Sequence, residues 1–117
     1  MKKILLFLAT YMIAALPSMA FSDTPISLPM DADPLAYANN EDGITKFSKS
    51  NYEVALEQFQ AAKNIQNTAE INFNLALCLA KLGQSDEAKV YFKEAKVLAD
   101  GNERILTSSV LKSHLLQ

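Results

Sequence analysis

Residues 69–102 read AEINFNLALCLAKLGQSDEAKVYFKEAKVLADGN, and their pattern has an earlier copy in the same chain. Ala76-x6-Gly83-x4-Ala88-x3-Phe92-x2-Ala95 is preceded by Gly43-x3-Phe47-x4-Tyr52-x2-Ala55-x3-Phe59-x2-Ala62. Ala55, Phe59 and Ala62 recur as Ala88, Phe92 and Ala95 after thirty-three residues. A period of this size marks a repeat architecture, in which each unit buries its apolar face only by stacking on its neighbours, and whose usual product is a binding surface.

Apolar spacing outward from this stretch predicts helices. Ile71, Phe73, Leu75, Ala76, Leu77, Leu79, Ala80 and Leu82 are apolar over more than one face, as expected of a central helix buried between others. Gly83 ends it as a left-handed cap. Ser85 is expected to cap the next helix, with Asp86 and Glu87 complementing its dipole, and Val90, Tyr91, Phe92, Ala95 and Leu98 supply its apolar side. Upstream, Asp33-Pro34 opens a helix running to about Lys49, and Asn51 is expected to cap a second that carries Val54, Ala55, Phe59, Ala62 and Ile65. Asn67 with Glu70 resembles a capping pair for the central helix. Asp100-Gly101-Asn102 is a turn, and Glu103 to about Leu116 forms a last helix with Ile105, Leu106, Val110, Leu111, Leu115 and Leu116. The fold expected is all-α, with about five helices and no sheet.

Ala69 to Asn102 resembles the tetratricopeptide repeat, a helix–turn–helix unit of about 34 residues. Leu75, Ala76, Gly83, Ala88, Phe92 and Ala95 match its signature, while Asn72, Leu79 and Asp100 depart from it. Ala36 to Thr68 resembles a first repeat through Gly43, Tyr52, Ala55, Phe59 and Ala62, with departures at Asn39, Asp42 and Lys46. The resemblance implies a right-handed α-solenoid of helical hairpins over residues 34–117, with repeats at about 36–68 and 69–102 and an end helix at 103–116. It also implies a concave groove lined by the first helix of each repeat, which in this family holds peptides or extended protein segments. The matching positions include Tyr37, Asn40, Ile44 and Phe47 in the first repeat and Glu70, Phe73, Leu77 and Lys81 in the second, with Arg104, Thr107 and Leu111 extending them. The candidate groove residues are Asn40, Ile44, Phe47, Phe73, Leu77, Lys81 and Arg104; the bland alternative is that the end helix folds over them and they are core. Asn74 matches an asparagine of the family's clamp for C-terminal carboxylates, but Asn40 and Ile44 stand where that clamp has lysine and asparagine. The clamp is therefore rejected.

Before the repeats, Lys2 and Lys3, the apolar run Ile4 to Leu16 and the small residues Ser18 and Ala20 after Pro17 have the order of a secretory signal peptide. The run is shorter than the roughly 20 residues of a membrane span. Cleavage after Ala20, export to a bacterial periplasm and no stable membrane insertion thereafter are the expectations. Residues 21–33, with Pro25 and Pro29 among Ser22, Asp23, Thr24, Asp31 and Asp33, have the composition of a disordered or extended linker.

Removal of residues 1–20 leaves nine basic against thirteen acidic residues, which gives no reason to bind nucleic acid or an anionic membrane surface. Cys78 is the only cysteine and reads as a small buried side chain; His114, the only histidine, reads as a solvent-facing helix residue. No metal-ligand spacing, phosphate loop or nucleophile elbow is present, and no cofactor or metal is expected. Glu41-Asp42 and Asp86-Glu87 are explained by solvation and helix dipoles. A non-enzymatic, exported adaptor for a protein or peptide of the cell envelope is the leading expectation. Self-association is the second, because two repeats are fewer than the three or so a stable array needs. An accessory role in an envelope secretion or pilus assembly machine is the third.

Overall fold

Asp33 and Pro34 start the helical part of the chain. The Asp33 carboxylate accepts hydrogen bonds from the backbone N–H of Leu35 at 2.9 Å and of Ala36 at 3.1 Å, while proline gives up no needed donor at the first helical position. The computed structural model describes residues 23–116. Its helices are α1 (Pro34–Ser48), α2 (Tyr52–Ile65), α3 (Ala69–Lys81), α4 (Ser85–Leu98), α5 (Glu103–Leu106) and α6 (Ser109–Leu115), with no strand among the described residues. The fold is all-α. The segment read as a signal peptide, residues 1–20, lies outside the described residues, among which no helix is long and apolar enough to cross a membrane.

Three caps differ from expectation. Asn51 precedes α2 but makes no side-chain cap bond. Thr68, not Asn67, caps α3: its backbone is extended and its hydroxyl accepts from Ile71 N–H at 3.1 Å. Asn67 and Glu70 instead accept from the side chains of Asn72 and Asn102, at 2.7 and 3.1 Å. Ser85 already lies inside α4, whose cap residue Gln84 makes no side-chain cap bond. The N–H of Gln84 closes the preceding turn on Leu79 C=O at 2.9 Å, and Gly83 before it sits at φ 77°, so α4 starts as soon as that turn is complete.

Helices α1 and α2 pack as one hairpin and α3 and α4 as a second, joined by α2 against α3. Every residue from Ile71 to Leu79 is buried, which makes α3 the centre of the packing. Ala55, Ala62, Ala76, Ala88 and Ala95 are fully buried and let the helices approach, while Phe59 and Phe92 fill the space between them. Gly43 is required by contact: a Cβ there would stand 2.5 Å from Cε1 of the buried Phe59 ring. Asn72 ties the hairpins together. Its Oδ1 accepts from Lys63 Nζ at 2.9 Å, and its amide donates to Asn67 Oδ1 and Thr68 C=O, each at 2.7 Å.

The expected last helix is two helices, bringing the number among the described residues to six. Ser108 interrupts it by leaving helical backbone angles (φ −59°, ψ 123°) and capping α6 through its hydroxyl, which accepts from Leu111 N–H at 3.1 Å. α6 then packs on α4.

Candidate functional site

Two asparagines, one on α1 and one on α3, determine where the segment before α1 lies. A carboxamide removed from water must keep its donors and acceptor paired. Asn40 on α1 and Asn74 on α3 are both fully buried, and Asn74 Nδ2 donates to Asn40 Oδ1 at 2.8 Å. Their remaining groups converge on the backbone of one residue, Ile26. Ile26 N–H donates to Asn74 Oδ1 at 2.7 Å, and Ile26 C=O accepts from Asn74 Nδ2 at 2.9 Å and from Asn40 Nδ2 at 3.0 Å. The asparagine pair satisfies this peptide backbone as a neighbouring β-strand would, without reading a side chain.

The side chains of the segment read as a linker divide by alternation. Ile26 and Leu28 are buried, at 5% and 4% exposure, while Ser27 and Pro29 between and beyond them face outward. This period of two belongs to an extended chain lying on a surface. Ile26 joins the buried cluster of Phe73, Leu77, Phe92 and Leu111; Leu28 joins that of Ala36, Phe59 and Leu75, against which Tyr37, Ile44 and Phe47 also pack. Upstream, the Asp23 carboxylate accepts from the Ser108 hydroxyl and from Val110 N–H, both at 2.9 Å, and Arg104 Nη2 donates to Thr24 Oγ1 at 3.4 Å. Downstream, Asp33 N–H donates to Gln66 Oε1 at 2.9 Å. An open cavity of about 450 Å³ remains beside the upstream half, between Thr24, Ile26, Phe73, Arg104 and Ser108.

The candidate groove residues therefore fall into three groups. Asn40, Phe73 and Leu77 are buried around Ile26, and Ile44 and Phe47 are half-buried around Leu28. Arg104 is exposed but reaches the arm at Thr24, whereas Lys81 is exposed at the end of α3. Asn74, set aside in the sequence as part of a carboxylate clamp, is central, and what it grips is an internal amide. The signal that could have found it is the pairing of two asparagines on the first helices of successive hairpins. Phe73 and Leu77 are buried in one cluster with Ile26 of the arm and with Phe92, Ile105 and Leu111.

The arm is held by small net free energy. Burying Ile26 and Leu28 contributes roughly 1.5–3 kcal/mol each, and the three hydrogen bonds to Ile26 about 0.5–1.5 kcal/mol each. Ordering the backbone from residue 23 to 28 costs roughly 1–2 kcal/mol per residue. The bonds of Asp23 to Ser108 and Val110 add to the favourable side, so the seated arm is favoured by a small margin.

Cys78 and His114 serve packing. Cys78 is fully buried, and desolvation pushes its thiol up to about 12, which leaves it protonated and unreactive near neutrality. His114 is half-buried rather than solvent-facing. Its ring lies 4.9 Å from that of Phe92, and Nδ1–H donates to Val110 C=O at 2.9 Å. Among the described residues, no group of three or more His, Cys, Asp or Glu side chains could hold a metal ion. No protein-family model, curated protein or solved structure matches the chain.

Proposed function

We propose that this chain is a non-enzymatic, exported binding module that takes an extended segment of another cell-envelope protein into the groove between α1 and α3. The observation that carries the reading is the grip of Asn40 and Asn74 on the N–H and C=O of a single residue. Backbone recognition by buried carboxamides, with apolar slots for alternate side chains, suits a chain bound as an extended strand. The repeated pattern of Ala55, Phe59 and Ala62 with Ala88, Phe92 and Ala95 supports assigning the two hairpins to a short tetratricopeptide-like array. The order of residues 1–20 supports export to the periplasm.

The test is cross-linked capture from an envelope extract, comparing wild type with Asn74→Ala and Phe73→Glu. A partner held by wild type and released by Asn74→Ala, with helicity unchanged, is the expected outcome. Identical recovery by all three folded chains would contradict the groove as the binding surface.

A further inference from the structure

Resting on the groove as a peptide site, we infer that residues 23–28 are an intramolecular competitor. The groove's ligand is then a segment of a separate protein with a β-branched aliphatic residue and a second aliphatic residue two positions later, as in Ile26-Ser27-Leu28. The ligand class follows from the occupant. At its centre the groove grips a backbone, through Asn40 and Asn74, and it buries the side chains of only Ile26 and Leu28 while Ser27 faces outward. Any extended chain with that alternation can make the same contacts. Competition follows from what the arm occupies. Asn40 and Asn74 are fully buried and engaged on the Ile26 backbone, and Ile26 shares a buried cluster with Phe73 and Leu77, so a second chain can take the same bonds and the place of Ile26 only after the arm has left.

The arm is also built to be displaced. The bonds that hold the Ile26 backbone come from side chains on α1 and α3, helices whose own backbone hydrogen bonds do not involve residues 23–28. The arm is joined to α1 through Pro29 to Asp33, and a short tether gives it an effective concentration on the order of millimolar. The apparent affinity for a separate ligand falls by the fraction of molecules whose groove is open. The arm thus sets a threshold: segments that bind weakly are excluded, and those that match Ile-x-Leu and add contacts in the open cavity beside Arg104 get in.

The probe is a fluorescent synthetic peptide of residues 21–29, titrated against the full chain purified after export. Wild type should bind it weakly, and Ile26→Asp, whose own arm cannot seat, at least tenfold more tightly. Adding Asn74→Ala to that variant should lose the gain, and a peptide carrying aspartate in place of its isoleucine should not bind. A helical Ile26→Asp chain that binds the peptide no better than wild type would overturn the inference. Should that variant fail to fold, wild type decides: with an isotope-labelled chain, excess unlabelled peptide should speed hydrogen exchange at the chain's own Ile26 amide, and an unchanged rate overturns the competition. A wild-type dimer abolished by Ile26→Asp would place the arm in a second copy and overturn the intramolecular assignment. The underlying reading fails differently. If the freed chain binds the peptide but captures no envelope protein, the competitor stands and the adaptor function falls.

Discussion

Asn74 and Ile26, on an interior helix and an extended arm, are joined by two hydrogen bonds that use both polar groups of one carboxamide and both polar groups of one residue's backbone. They lie 48 residues apart in sequence. Asn74→Ala removes both bonds and the bond to Asn40, leaving the Ile26 amide without its partner and the Ile26 carbonyl with Asn40 Nδ2 alone. The expected cost is about 1–3 kcal/mol in urea denaturation. Asn74→Asp, which can still accept from Ile26 N–H but cannot donate to its carbonyl, should also destabilise the arm. If neither change moves the midpoint, the arm contributes nothing to the fold.

Gly43 and Phe59 set the spacing of the first hairpin. Gly43→Ala pushes a methyl group into a fully buried ring that has nowhere to go. The expected loss is about 1–3 kcal/mol. Combining it with Phe59→Leu, which frees space at the contact, should cost less than the sum of the two changes in a double-mutant cycle.

Ser50 holds φ 60° in the turn between α1 and α2, a left-handed conformation that disfavours a side chain. The second turn of this kind, after α3, has Gly83 at φ 77°. Ser50→Gly should therefore stabilise the chain by about 0.5–1 kcal/mol, because relief of the strained backbone outweighs the added freedom of the unfolded chain. A lowered melting temperature would contradict this.

The buried Cys78 thiol makes the fold sensitive to alkali. Its folded value, pushed up to about 12 by desolvation, lies above the ordinary thiol value of about 8.5. Below pH 8.5 the thiol is protonated in both states and stability does not depend on it. Above that, the unfolded chain loses the proton first, and stability falls by about 1.4 kcal/mol per pH unit until the folded thiol titrates. The observable is the difference between chains: Cys78→Ala should show a shallower decline between pH 8.5 and 10.5. In wild type, thiol-reactive dye should label Cys78 only on unfolding.

What was legible in the sequence was what residue type and local spacing encode. Ala55, Phe59, Ala62 and their recurrences at Ala88, Phe92 and Ala95 are all fully buried, because helix packing rewards small and large apolar residues at fixed intervals. Asp33-Pro34 announces its helix through bonds two and three residues away. The shift of the α3 cap from Asn67 to Thr68 is a choice between adjacent residues that both carry an acceptor. The break at Ser108 was hidden by the apolar spacing on either side, although the run Thr107-Ser108-Ser109 offered the hydroxyls to cap a new helix.

The arm was least legible. Ile26 and Leu28 among Pro25, Ser27 and Pro29 form too short an alternation to distinguish a seated strand from a linker. Their partners are remote in sequence, and the group that Asn74 recognises is backbone, which every residue has. Folding brought Asn40 and Asn74 together as a pair, and only the pair says what is bound.

Hydrogen exchange at the Ile26 amide tests the seated arm most directly. With the arm bound to Asn74, this amide in the wild-type chain should exchange at least roughly tenfold more slowly than in the free peptide of residues 21–29, and Asn74→Ala should restore the peptide's rate. Exchange in wild type at the free-peptide rate would mean the groove stands empty, and the account of the arm as its occupant would be wrong.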